Sequence, residues 1–454
     1  MDVVTLLTLL ILGLAVIFIY KRIRSALDSV KGVPLPGPRP LPLLGNTFDV
    51  DTRKIYISFA NMTKWYGPIF QVNILGQTSV VLNDGRLIRK AFSSESYGEV
   101  LNDRPDNAYA KYLVYDSSDL VFGKPGRKTK TMRKMFLNAL RLFGDGNEHF
   151  EHLTDAILKD FLKEIRETNE NDFDLNQRIQ KSFGNTTSSL MTGQPAKEDD
   201  YKLIWQLNDN VKLFAEPAIS FIYELVPFIR FLPGKFGKIF RAAKEARDCL
   251  LERFYYDVKN RFDQTQSGEG DASGFVGGLL KLQCEENIRE DREFVTETNI
   301  KALVVDSIFA ATETTSSALI NGLALLLEHK DVASALQAEI DTVIGRGRLP
   351  TTSDKNNMPY TMATLFEILR YTSHAPLLVP HRAMENCTLE GYFVPKHAIV
   401  FANVWFVHHD PKLWNDPWVF RPERFLDSDG QLLPPGHIYM QNVLTFSIGQ
   451  RSCL

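Results

Sequence analysis

Cysteine is scarce in this chain: four occur in 454 residues, at Cys249, Cys284, Cys387 and Cys453. Their scatter fits neither a disulfide framework nor a zinc-ligand spacing, which excludes a stapled secreted scaffold and points to a reducing compartment. An excess of charge of one sign is missing too. The 52 basic and 55 acidic side chains leave a net charge of −3, so no broad cationic field is offered to nucleic acid. No internal repeat is visible. No Gly-x-Gly-x-x-Gly follows a strand-like run, and Gly345-Arg346-Gly347 sits in a loop-like setting. The chain thus carries no readable nicotinamide or flavin site, and any redox chemistry needs electrons from a partner. His408-His409-Asp410 is read as structural, because adjacent side chains diverge in most backbones and cannot share a metal.

What is present begins at the N-terminus. Val3 to Tyr20 is an uncharged apolar run, followed at once by Lys21, Arg22 and Arg24. Eighteen helical residues span roughly 27 Å, which suits a thin endoplasmic-reticulum bilayer. Asp2 precedes the run and no small-x-small site follows it, so it reads as an uncleaved anchor rather than a signal peptide. The basic flank places the bulk of the protein in the cytosol. Sequons at Asn61, Asn185 and Asn386 then face the wrong side for glycosylation. The expected organisation is an anchor over 1–20, a basic and proline-rich linker over 21–50, and one globular domain over 51–454. Within the linker, Val33 to Pro42 reads as a stiff spacer.

In the globular part, Ile69 to Asn83 reads as a small hairpin or sheet, and the chain from about Leu120 to Glu328 as mainly helical. Strand-like runs return at Leu377–Val379, Tyr392–Val394 and Ile399–Phe401, and the tail from Asp410 looks mostly irregular. The fold class is mainly α with minor β. Ala302 to Leu327 is apolar enough for a second membrane span, but Asp306 and Glu313 interrupt it. Ionisable groups in mid-span are costly, so a buried core helix is expected.

Six separated motifs carry chemistry. Near the end stands Phe446-Ser447-Ile448-Gly449-Gln450-Arg451-Ser452-Cys453. A metal-binding thiolate in an irregular loop needs a glycine for the tight turn, and Arg451 adds a fixed cation. Glu367 and Arg370 share one helix face at i, i+3. Pro422-Glu423-Arg424-Phe425 follows, and Ala310-Ala311-Thr312-Glu313-Thr314-Thr315 precedes. The basic run from Lys124 to Lys134 contains Lys130 and Arg133, and Arg382 closes Val379-Pro380-His381-Arg382.

Over essentially its whole length the chain resembles the cytochrome P-450 superfamily, and within it the animal microsomal branch. The segments from Met358-Pro359-Tyr360 to Phe425 resemble the aryl-hydrocarbon and steroid 17α-hydroxylases. The resemblance implies a cytochrome P-450 haem-thiolate fold with heme b, its iron held axially by Cys453, whose electron donation favours O–O cleavage. It implies Phe446, Gly449 and Arg451 around that ligand, and Lys130, Arg133 and Arg382 as further haem contacts. Thr314 becomes the proton-delivery hydroxyl and Glu313 its acidic neighbour. Glu367, Arg370 and Arg424 form a buried cluster that holds the cysteine loop. The implied activity is insertion of one oxygen atom from O2 into a lipophilic substrate, steroid or xenobiotic. Electrons come from NADPH through cytochrome P-450 reductase, with cytochrome b5 as a second donor. The implied location is the endoplasmic-reticulum membrane, with the catalytic domain facing the cytosol.

Three departures qualify the match: Thr129 replaces a tryptophan, Lys130 replaces an arginine, and Ala311 replaces a glycine. Substrate contacts are expected from Pro105–Tyr115, Phe214–Phe231, Ile308, Ala310 and Leu377–Val379. The apolar stretch Phe221–Pro233 reads either as dipping into the membrane or as an ordinary helix-loop-helix core. The glycine, helix and β segment that follow the ligand in the family do not appear after Leu454. The expectation is therefore a C-terminally truncated fold. Its alternative reading is an inactive, haem-poor membrane binding protein derived from that family.

Overall fold

A computed structural model describes residues 32–42, 44–142, 147–168, 172–266, 273–290, 292 and 294–454. The anchor expected over 1–20 lies outside these. The chain divides into two compact units. The first takes the chain up to Pro105, Leu369–Val419 and Pro434–Leu454; the second takes Asp106–Ile368 and Phe420–Leu433.

The first unit carries the strands β1 (Val33–Pro34), β2 (Ile69–Ile74), β3 (Gln77–Leu82), β4 (His381–Arg382), β5 (Cys387–Leu389), β6 (Tyr392–Val394) and β7 (Ile399–Ala402). One sheet runs β2-β3-β7-β4 and a smaller one β1-β6-β5. The hairpin read from Ile69–Asn83 is there, with Ile74 opposite Gln77. Its two-residue turn has Leu75 at φ 50° and Gly76 at φ 82°, the positive pair that matches strand twist. Asn73 Oδ1 accepts the Gly76 N–H at 2.9 Å and holds the turn. Strand β3 pairs on both sides, so Val80, Val81 and Leu82 are all buried and read as a continuous apolar run.

Two expectations change here. Leu377–Val379 is not a strand. Pro376 and Pro380 bracket it, and Leu378 at φ 53° closes a turn onto Ala375 O at 3.1 Å. Pairing starts only at His381. The proline-rich stretch is docked rather than a free spacer. Val33 pairs with Tyr392, Leu35 joins the apolar core with Ile69 and Val80, and Pro36 O accepts the Gln71 N–H at 2.8 Å. Proline lacks a donor, but an edge strand needs few.

The second unit is helical among its described residues. Its axis is the long helix Glu297–Glu328, started by a capping box in which Thr296 and Asn299 satisfy each other's backbone N–H groups. By length and composition this helix could cross a membrane. Ile300, Ala302–Val305 and Ile308 are instead packed in the unit's main core with Phe214, Phe254, Phe275 and Leu279. Removing that much apolar area from water, at about 1.5–3 kcal/mol for each large side chain, offsets the cost of Asp306 within the same stretch.

Asp306 accepts the Tyr109 hydroxyl at 2.8 Å and lies within hydrogen-bond reach of Asp119. Burial first, then the Asp119 charge, pushes its carboxyl well above the usual range. The folded chain therefore binds a proton here that the unfolded chain has released. Stability from this group is full below the ordinary aspartate pKa and is lost as pH rises toward the raised folded value. Asp306→Asn is expected to flatten that loss, worth about 1.4 kcal/mol per pH unit within the window. Urea midpoints compared at pH 6 and pH 9 check it; equal slopes in both proteins would refute it.

Candidate functional site

The cysteine turn is built by its own backbone. The Cys453 N–H returns to Phe446 O at 2.9 Å, the Ser452 N–H to Gly449 O at 3.2 Å and the Ser447 N–H to Leu444 O at 2.9 Å. Leu444 is in turn anchored by donating its N–H to His408 Nε2 at 3.0 Å, with His408 Nδ1 on Ser373 Oγ at 2.8 Å. Burial drives His408 well below the usual histidine range, so the ring is neutral and Nε2 can accept. That is the work of a histidine the sequence marked only as structural. Cys453 is exposed, and Phe446 is 59% exposed beside it. A soft thiol held in a rigid turn with an open face is a fitting iron donor.

Gly449 sets the turn. Its φ is 76°, and a Cβ would lie 2.0 Å from Phe92 O, against backbone that cannot swing aside. Gly449→Ala is expected to cost about 1–3 kcal/mol in local strain and to displace the thiol. The check is haem content per chain beside the unfolding midpoint, with haem lost more steeply than stability.

Cations gather in the same unit. Arg451 Nε donates to Asn102 O at 3.1 Å, and Gln450 accepts from Asn102 Nδ2 at 2.9 Å. Arg104 donates to Val379 O and Pro380 O at 2.6 and 2.9 Å. Arg382 is engaged by Asp103, Nε and a terminal nitrogen both 2.7 Å from the carboxylate. Between them lies His381, stacked on Phe92 at 3.7 Å with Nδ1 on Leu101 O at 2.6 Å. Burial and then the Arg104 and Arg451 charges keep it far below its usual pKa, hence neutral. These guanidiniums are cations of the kind that pair with carboxylates such as propionates. Asp103, Arg104 and His381 were not singled out from the sequence; only a charged pair ahead of Pro105 hinted at the first two.

In the second unit the long helix exposes Ala310, Ala311, Thr314 and Thr315 along one face, between buried Ile308 and buried Ser316. Thr314 Oγ donates back to Ala310 O at 2.7 Å. Glu313 accepts from Lys212 Nζ at 2.6 Å, and buried Thr312 from Asn208 Nδ2 at 2.9 Å. The helix Arg127–Leu142 presents exposed Lys130 and half-buried Arg133. Thr129, standing where the resemblance called for tryptophan, donates its hydroxyl to Lys124 O at 2.5 Å and closes the helix start. Within this run Lys124 pairs with Asp106 and Arg127 with Glu290.

Glu367 and Arg370 sit on the helix Pro359–Thr372. Its first turn is capped by the Glu339 carboxylate, which accepts the Tyr360 and Thr361 N–H groups at 2.9 and 2.7 Å. Glu367, fully buried, takes Arg424 Nε at 3.1 Å and the Arg421 N–H at 2.9 Å. Arg370, equally buried, donates to the carbonyls of His408 and Pro417 at 2.7 and 2.9 Å and lies over Trp414. The two charges of the helix motif thus brace different segments.

An exposed cysteine on a braced turn, with arginines in the same unit, is what the resemblance to the haem-thiolate oxidoreductases calls for. Comparison with known proteins narrows this. A family model for cytochrome P-450 matches residues 35–454, beginning inside the stretch expected as linker. Cytochrome P-450 2C28 of Mesocricetus auratus is 31% identical over 448 residues, covering 98% of this chain and 88% of its own. Cytochrome P-450 1A1 of Opsanus tau is 29% identical over 470 residues, covering 100% and 86%. Cytochrome P-450 1B1 of Rattus norvegicus is 30% identical over 431, covering 92% and 77%. The chain belongs to the cytochrome P-450 family, and its class of activity is that of a monooxygenase.

Proposed function

We propose that the chain inserts one oxygen atom from O2 into a lipophilic steroid or xenobiotic at the endoplasmic-reticulum membrane, with electrons from NADPH through a reductase. The observation that carries this reading is the backbone-braced turn that offers an exposed Cys453, with Arg451 two residues before it in the same turn. Heme b, when bound, would supply the activation of dioxygen. Everything else is work for this chain's residues.

Cys453 holds the iron as a thiolate, Gly449 keeps the loop narrow and Phe446 packs beside the ligand. Arg451, Arg382, Lys130 and Arg133 neutralise the propionates, with Arg104 added to that set. Thr314 passes a proton from its hydroxyl and Glu313 resupplies it. Glu367, Arg370 and Arg424 hold the segments that carry the turn.

Two surfaces support the remaining parts. On the second unit, Leu225, Phe228, Phe231 and Leu232 are all exposed around Pro227–Phe231, an apolar tip suited to a bilayer and to ligands drawn from it. Along Arg127–Leu142, Lys128, Lys130 and Lys134 make a cationic strip for an acidic reductase or cytochrome b5.

The test is the carbon-monoxide difference spectrum of the reduced full chain. A Soret band at the thiolate position supports the reading. A histidine-type band, or no haem at stoichiometric loading, overturns it.

A further inference from the structure

Between the helices Lys330–Val343 and Pro359–Thr372 the chain runs Gly345-Arg346-Gly347-Arg348-Leu349-Pro350-Thr351-Thr352-Ser353-Asp354, which no step proposed above uses. Arg346 to Arg348 and Pro350 to Ser353 are exposed, and a Cβ on Gly345 or Gly347 would meet nothing within 4 Å. Residues 349–351 belong to no helix or strand, and Pro350 biases the residue before it toward an extended backbone. Thr351 is the one serine or threonine in the sequence with arginine both three and five residues before it. A partner that selects those two arginines needs carboxylates spaced about 7 Å apart along an extended chain. This segment can offer both guanidiniums to it.

The Thr351 hydroxyl stands in a small charged triangle. Arg348 grips Asp354 with two bonds of 2.7 Å, one to each carboxylate oxygen. The oxygen held by Arg348 Nη1 also accepts the Thr351 N–H at 2.7 Å and the Thr351 hydroxyl at 3.0 Å. Arg346, 88% exposed, pairs with Asp341 at 3.2 Å. The next hydroxyl, Thr352, is given to Glu151 of the helix Asn147–Arg166 and is out of register with both arginines. All three ties of Thr351 and Arg348 lie at the surface, where local opening costs little.

We propose that Thr351 is a phosphorylation site for an arginine-directed serine/threonine kinase, and that the phosphate draws Arg348 away from Asp354. In the transfer the Thr351 oxygen bonds to the γ-phosphorus of ATP as the bond to ADP breaks. The hydroxyl proton passes to the kinase and then to solvent, and nothing is oxidised or reduced. The product carries a charge of about −2 and no longer donates to Asp354. Two anions then compete for one guanidinium. The phosphate wins, having more charge and three acceptor oxygens. Asp354 is left without its cation beside a like charge and releases the Thr351 N–H. An acid-directed kinase would need Asp354, three residues after the acceptor, but Arg348 holds both of its oxygens. Neither arginine nor Thr351 has a part in the proposed haem site, so this site stands or falls apart from Cys453.

The purified full chain is incubated with MgATP and an arginine-directed kinase, and the phosphate is placed by peptide mass spectrometry. One phosphate on Thr351 is expected, absent in Thr351→Ala. Arg346→Met and Arg348→Met are each expected to lower the initial rate about tenfold. Arg346→Met keeps the Arg348–Asp354 pair, so its effect reports recognition and not a loosened loop. Phosphate on another residue, a rate indifferent to both arginines, or labelling by an acid-directed kinase alone overturns the site. Hydrogen–deuterium exchange of the amides in 351–357 is then compared before and after labelling. A rise of about two- to fivefold is expected in the parent and none in Asp354→Asn, whose side chain has no charge to be repelled. Unchanged exchange in the parent, or an equal rise in Asp354→Asn, overturns the partner switch of Arg348 while the modification stands.

Discussion

Replacing Glu367 by alanine is expected to destabilise the folded chain by about 3–5 kcal/mol, among the largest losses a single substitution produces. Glu367 is fully buried and accepts the Arg424 guanidinium and the Arg421 N–H. Alanine removes the carboxylate that compensates Arg424, itself only 7% exposed. The cost of dehydrating that cation then stands without the attraction that offset it. The pair need not be net stabilising for this to hold; breaking a buried pair is worse than never having formed it. A double variant, Glu367→Leu with Arg424→Met, removes both charges and is expected to recover a large part of the loss. Urea unfolding of the parent, Glu367→Leu, Arg424→Met and their double variant forms the double-mutant cycle, with Glu367→Ala measured beside them. A loss under 1 kcal/mol for Glu367→Ala would show that the pair is not desolvated.

The two charges of this helix also order their own segments. Arg421 N–H is fixed by Glu367, and the 3₁₀ turn Pro422–Phe425 buries Phe425 beside Phe366 at 5.8 Å. On its own side, Arg370 holds the carbonyls of His408 and Pro417. His408 then accepts the Leu444 N–H at the root of the cysteine turn. Arg370 therefore acts on the turn through one intervening histidine.

How much of this was legible follows from the range of the interactions. The hairpin Ile69–Leu82 was readable because its pattern and its Leu75-Gly76 turn are local. The long helix was readable because its apolar run is contiguous, whereas the capping box that starts it at Thr296 was not read. Tyr392–Val394 and Ile399–Ala402 emerged as strands for the same reason. Leu377–Val379 misled because three apolar residues between two prolines look extended, while the prolines favour a turn. The spacing of Phe446, Gly449, Arg451 and Cys453 was plain, but the means of bracing it was not. Asn102, Leu101, Arg104 and Asp103 lie some 280 to 350 positions away from the residues they hold. No periodicity reports a pairing across such a gap. The same holds for Lys212 and Glu313, separated by 101 positions.

Replacing Cys453 by serine is expected to abolish the thiolate-type carbon-monoxide spectrum and lower turnover on the order of 10³-fold, a barrier increase of about 4 kcal/mol. A hydroxyl cannot donate electron density to iron as a thiolate does, and that donation favours O–O cleavage. The fold should barely notice. Cys453 is exposed, its backbone N–H bond to Phe446 O is indifferent to the side chain, and serine differs by one atom. The unfolding midpoint should therefore stay within about 0.5 kcal/mol of the parent. This separation of outcomes is what distinguishes the ligand from its supports. Glu367→Ala loses stability and chemistry together, Gly449→Ala loses haem more than stability, and Cys453→Ser loses chemistry alone. Spectra and urea curves on the same preparations decide it. A serine variant that keeps the parent spectrum would remove Cys453 from the iron and leave its turn as mere scaffolding.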